Sequence, residues 1–128
     1  MQNIRVTIFQ VDQVWEDKSA NYSLYNTLFE EMIDSDLVLL PELFHTGFSM
    51  NSKQLAEAWG KSEGVNFLKF WANKRNTAIY TSLMIKDDGK NYNRGVFVFP
   101  NGDVSYYDKR KLFTLSGEHN HYTPGKKQ

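Results

Sequence analysis

The 128-residue sequence contains no cysteine, so this chain cannot itself supply a disulfide, cysteine-ligated zinc, an iron–sulfur cluster or a thiol nucleophile. Neither sign of charge is in excess: 15 lysines and arginines balance 15 aspartates and glutamates. Nucleic-acid and anionic-membrane binders normally carry a positive surplus or a basic face, so both partner classes are disfavoured. No apolar run reaches the roughly 20 residues of a membrane span, and the chain opens on a strand-like pattern where a secretory leader would stand. A soluble cytoplasmic protein is the expectation. Internal repeats, low-complexity stretches and linkers are also missing, as are a glycine-rich phosphate loop, a Walker pattern and a Gly-x-Ser-x-Gly elbow. Nucleotide hydrolysis and serine esterase chemistry therefore find little support.

What is present is one domain's worth of core, with 41% hydrophobic residues and 15% aromatics. Ile4, Val6 and Ile8 alternate through residues 4 to 10, which predicts a first strand with that face buried. Tyr22, Tyr25, Leu28, Phe29, Met32 and Ile33 recur at three- and four-residue steps between Lys18 and Asp34, one stripe of a helix. Leu37 to Leu40 form an unbroken apolar run closed by Pro41, as in a strand covered on both faces. A short helix over 52–59 and a second one from Glu63 to Arg75, with Ser62 as its N-cap, follow. Strands over 77–85, 92–99 and 104–108 are then joined by Asp88-Gly89 and by the turn from Pro100 to Asp103. The order predicts an α/β fold with a mixed sheet and flanking helices.

That topology has a positional consequence. Two strand–helix–strand crossovers followed by two reversals make the strand ending near Asp108 run parallel to the one ending at Leu40. Glu42 and Lys109 should therefore emerge at one edge of the sheet, the carboxyl edge where open α/β sheets bind ligands. Taken alone, Glu42 is equally a solvated loop carboxylate, and Lys109 sits in a charge cluster, Asp108 to Lys111, of the kind that usually ends a strand in water. Together they offer a base and an electrostatic or acid group for attack on a polarised carbon. Phe44, Phe48 and Tyr122 are the aromatic residues in loops near these charges and are the candidate substrate-binding side chains. His119 and His121 carry the only metal hypothesis. Two loop histidines without a further ligand cluster do not make a zinc site, so no metal is expected.

Leu39-Leu40-Pro41-Glu42-Leu43-Phe44, followed by Thr46-Gly47-Phe48, resembles the first catalytic block of the nitrilase superfamily of carbon–nitrogen hydrolases. Tyr107 to Phe113 resembles its second block, with the catalytic lysine at Lys109. Gly117-Glu118-His119, Tyr122 and Gly125 are similar to the omega-amidase branch, and Gln10, Asn21 and Asn93 agree with the family's order. The resemblance implies half of a four-layer α-β-β-α sandwich and a Glu-Lys-Cys mechanism without cofactor. Glu42 would be the general base, Lys109 the oxyanion stabiliser and Glu118 a second glutamate that positions lysine and substrate. A lysine beside two carboxylates stays protonated at neutral pH. Lys111 stands where the family usually has histidine, and the family's cysteine belongs to a block later than any in this sequence.

The chain is thus expected to be the N-terminal part, residues 1–128, of an amidase for small omega-amides, inactive without the cysteine. The alternative is a non-catalytic binding or assembly module that keeps a carboxylate–lysine pocket for small carboxylates or amides. An apolar sheet face carrying Val96 and Val98, or their neighbours Phe97 and Phe99, should lie bare and drive formation of a homo-oligomer.

Overall fold

A computed structural model describes residues 2–126. The chain runs β1 (Val6–Ile8), α1 (Lys18–Glu31), β2 (Leu37–Leu39), α2 (Ser52–Leu55), β3 (Glu57–Ala58), α3 (Glu63–Arg75), β4 (Ala78–Asp87), β5 (Lys90–Val98) and β6 (Val104–Asp108), then two 3-10 turns at Thr114–Ser116 and Glu118–Asn120. The strands form one mixed sheet in the order β1-β2-β4-β5-β6. Strands β1, β2 and β4 are parallel; β5 runs against β4, and β6 against β5. Hence β6 points the same way as β2, as the crossovers and hairpins require. Strand β3, within the stretch expected to be helical, pairs with the far half of β4 at Ile85 and Lys86.

The helix boundaries have local causes. Asp17 accepts a hydrogen bond from the Ala20 N–H at 2.9 Å and starts α1. Ser62 accepts from the Val65 N–H at 3.0 Å and starts α3, whose last turn places Lys74 and Arg75 against the negative end of the helix dipole. Asn76 closes α3 in the left-handed conformation, φ +47°. The β4–β5 hairpin turns on Asp88 and Gly89, both at positive φ, the pairing a tight type I′ turn demands.

The apolar stripes of α1 and α3 meet one face of the sheet. Tyr25 and Phe29 from α1 and Val65, Leu68, Trp71 and Ala72 from α3 cover Val38, Ile79, Leu83, Ile85, Val96 and Val98. Phe29 and Trp71 stack with centroids 5.2 Å apart. Ile33 lies outside this stripe and is exposed, because α1 has ended before it.

The register puts Val6, Ile8, Leu39, Tyr80, Phe97 and Tyr107 on the opposite face, which neither α1 nor α3 covers. This corrects two expectations and decides between the two alternatives on β5. Ile4, Val6 and Ile8 are 66%, 45% and 69% exposed, while Thr7 and Phe9 turn inward. Leu37 and Leu39 are only partly buried, since their face of β2 is bare. On β5 and at its end it is Phe97, half-buried, and Phe99, exposed, that lie on the bare face, whereas Val96 and Val98 are core. One end of the bare face is nevertheless closed: Leu43, Met84 and Tyr122 form a second small core under the segment after β2 and the C-terminal segment.

Candidate active site

The site lies where that small core gives way to the bare face. Glu42 follows β2 by three residues, and the chain there is stitched to β4. The Leu40 N–H donates to the Tyr80 carbonyl at 3.0 Å, the Phe44 N–H to the Ser82 carbonyl at 3.1 Å, and the Leu43 N–H to Ser82 Oγ at 2.9 Å. Thr81 Oγ1 donates to the Pro41 carbonyl at 2.7 Å. Leu43 is held at φ +50°, a conformation costing about 1–2 kcal/mol for a residue with a side chain. Gln13 Nε2 fixes it by donating to the carbonyls of both Leu43 and Phe44 at 3.0 Å. Asn21, a partner not foreseen as part of the site's support, ties the same loop to α1 by donating to the His45 carbonyl at 3.0 Å.

Lys109 leaves the end of β6 with its N–H on the Asn93 carbonyl at 2.9 Å. Its Nζ lies 2.8 Å from Glu42 Oε1 and 3.2 Å from Glu118 Oε2. Asn93 Nδ2 donates to Glu42 Oε1 at 2.7 Å and to Glu118 Oε1 at 3.2 Å. The Phe113 N–H completes the shell of Glu118 Oε2. Both oxygens of Glu118 are thus occupied and its side chain is fully buried, whereas the side chains of Glu42 and Lys109 are 46% and 31% exposed. The carboxylate with access to a ligand is Glu42.

Burial alone would depress the Lys109 ammonium, but Glu42, and after it Glu118, outweigh that and raise its pKa above the ordinary lysine value. Lys109 is accordingly a permanent cation at neutral pH. A cavity of about 270 Å³ opens beside these groups, lined among others by Tyr80, Ser82, Asn93, Gly95 and Tyr107. Gly95 has a steric reason to lack a side chain, since a Cβ there would meet the Tyr80 hydroxyl at 2.9 Å. Of the two aliphatic hydroxyls lining the cavity, Thr81 is spent on Pro41 and Ser82 on Leu43. Among the described residues neither is hydrogen-bonded to Glu42 or Lys109.

The structure therefore brings Glu42, Lys109 and Glu118 together, and sets Phe48 with its ring 5.4 Å from Lys109 Nζ. It does not bring Phe44 to the cavity. After the turn at Leu43, Phe44 points into the main core, fully buried and stacked on His45 with centroids 4.6 Å apart. Tyr122 is also buried, behind the site, where its hydroxyl donates to the Ser49 carbonyl at 2.7 Å. Burial, then Glu118 and Glu42, push its phenol well above the ordinary range. His119 and His121 are exposed, and among the described residues no group of three or more histidines and carboxylates could hold a metal. Asn93 is the site residue to which motif reading gave no role; its agreement with the family's order was its signal.

With a protonated lysine clamped between two glutamates, the glutamate open to the small cavity can take a proton from a nucleophile while the lysine stabilises an oxyanion. The model of the family described as carbon-nitrogen hydrolase matches residues 5–127 of this chain. The chain belongs to the carbon–nitrogen hydrolase family. It is 34% identical, over its full length, to 49% of an omega-amidase YafV of Yersinia enterocolitica. The hydrolase fold is equally plain in solved structures. XC1258 from Xanthomonas campestris, a CN-hydrolase superfamily protein with an arsenic adduct in its active site, superposes with a TM-score of 0.93 at 33% identity, over 99% of this chain and 48% of that one. Saccharomyces cerevisiae Nit3, of branch 10 of the nitrilase superfamily, superposes with a TM-score of 0.79 at 26% identity, over 97% of this chain and 49% of its own. The chain spans about half the length of the relatives it matches. Among its described residues no helix is long and apolar enough to cross a membrane.

Proposed function

We propose that residues 1–128 supply the glutamate–lysine–glutamate part of a cytoplasmic amidase for small omega-amides, with the cysteine nucleophile contributed by polypeptide outside this sequence. The observation that carries the reading is the single ammonium of Lys109 bonded to Glu42 and Glu118 at the mouth of a cavity on the uncovered sheet face. Glu42 takes the thiol proton, and the sulfur attacks the amide carbon. Lys109 stabilises the resulting oxyanion; as the C–N bond breaks, the proton held by Glu42 passes to the departing nitrogen, which leaves as ammonia, and a thioester remains. Water, deprotonated by Glu42, then cleaves the thioester to the carboxylate and regenerates the thiol. Glu118, with both oxygens engaged, holds the lysine and exchanges no proton.

The test is ammonia release from small omega-amides by the purified chain, alone and mixed with the C-terminal half of the Yersinia relative. Silence alone and turnover after mixing, abolished by Lys109→Ala, is the expected result. Turnover by the chain alone would place the nucleophile among these 128 residues and overturn the assignment.

A second reading is favoured by the cavity being formed, with its cation in place, while cysteine is lacking: a module that captures small carboxylates or amides without cleaving them. Calorimetric titration with dicarboxylates and omega-amides distinguishes it, since saturable binding lost in Lys109→Ala, without turnover in the mixed system, selects capture.

A further inference from the structure

Asn93 is bonded to every member of the charged trio. Its main-chain carbonyl accepts from the Lys109 N–H at 2.9 Å, and its Nδ2 donates to Glu42 Oε1 at 2.7 Å and Glu118 Oε1 at 3.2 Å. Lys109 Nζ reaches Glu42 Oε1 at 2.8 Å and Glu118 Oε2 at 3.2 Å. Two donors thus bridge the same two carboxylates and close a ring. An amide nitrogen has two hydrogens, and both are spent here. The residue is buried on β5, and its bond to the fully buried Glu118 has no water as a ready substitute.

The chemistry of the second donor matters. Two carboxylates that share one ammonium repel each other, and an extra hydrogen-bond donor relieves this. A cationic donor at position 93 would cancel the remaining negative charge of the trio, which a proton acceptor needs; a neutral amide preserves it. An aspartate would add a third negative oxygen pair and leave no donor. The occupancy is also asymmetric: Glu42 Oε1 accepts from both donors, while Glu42 Oε2 accepts no hydrogen bond among the described residues.

We infer that Asn93 is a positioning residue that, together with Lys109, occupies Glu42 Oε1 and leaves Glu42 Oε2 as the oxygen that takes the proton. This rests on the reading of Glu42 as the base of an amidase, but its geometric core does not need turnover to be tested. In the nitrogen-labelled 128-residue chain, the two Asn93 side-chain amide protons should resonate apart and exchange with solvent about tenfold more slowly than those of exposed Asn3. Glu42→Gln should move one of the pair and Glu118→Gln the other. A collapsed pair exchanging as fast as that of Asn3, or a pair indifferent to both substitutions, would overturn the inference.

In the mixed ammonia-releasing system, Asn93→Leu should lower kcat by tenfold or more, with KM changed less than twofold. A loss confined to KM would make Asn93 a substrate contact instead. If the mixed system releases no ammonia, the amidase reading fails while the amide protons still decide the role of Asn93.

Discussion

Replacing Phe44 with alanine separates a core residue from a pocket residue. The ring is fully buried between Tyr22, Tyr25, His45 and Phe67, with centroids 6.3, 5.5, 4.6 and 6.1 Å away. Removing it forfeits the transfer free energy of a phenyl ring and leaves a cavity that its aromatic neighbours cannot fully close, a loss of about 3–5 kcal/mol. For a domain of this size that corresponds to a fall in Tm of roughly 10–20 °C, a large fraction of total stability of about 5–15 kcal/mol. Phe48, only four residues on, projects beside Lys109 with one side in water, so Phe48→Ala should cost less than about 1 kcal/mol. The assay is urea unfolding of both variants with linear extrapolation, confirmed by thermal melts. A Phe44→Ala variant as stable as the parent, beside a crippled Phe48→Ala, would refute the assignment of the two rings to core and rim.

Acid should destabilise the chain in two stages. His45 lies below its ordinary pKa of 6.5 because burial outweighs Glu57, so its contribution is complete above 6.5 and lost as pH falls through its lower folded value. Glu57 is pushed up by burial, but its bonds to His45, Ser62 and Lys18 win and hold it below its ordinary 4.5; stability tied to it is complete above 4.5 and lost below. Urea midpoints at pH 7.5, 5.5 and 4 should fall in order, and Glu57→Gln should flatten the last step. Arg94, bonded to Asp108 at 2.7 and 3.0 Å and to Asp87 at 3.0 Å beneath Trp59 and Tyr106, anchors the strand that carries Lys109. Arg94→Met should cost roughly 3 kcal/mol in the same unfolding assay. The bare apolar face should drive self-association, so light scattering should report a dimer or larger species that Ile8→Lys with Phe97→Lys shifts toward monomer; a clean monomer of the parent at working concentration would contradict this.

The helices and hairpins were legible because their signals are local. The 22–32 stripe, the Ser62 cap and Asp88-Gly89 each act within a few residues, and α3 forms over the residues its pattern predicts. Which face of the sheet is covered was not legible. Alternation fixes that Ile4, Val6 and Ile8 share a side, but both sides of this sheet are apolar, and burial depends on where α1 and α3 pack. The same degeneracy hid the choice between Val96 and Phe97 on β5. Phe44 was misplaced because proximity to Glu42 in sequence carries no direction; the left-handed turn at Leu43 swings the next side chain into the core. Strand β3 exists only through pairing with residues nearly thirty positions on. Glu42 and Lys109 at one rim followed from strand polarity alone, whereas Glu118 came from motif resemblance, and the role of Asn93 depends on partners 51, 16 and 25 positions away.

The most direct measurement is the titration of the Lys109 ammonium followed by side-chain nitrogen resonance. If one cation is shared by the two glutamates, it titrates above the ordinary lysine value of 10.5, and Glu42→Gln and Glu118→Gln each bring it down. A Lys109 that titrates as a free lysine, deaf to both substitutions, would contradict the shared site.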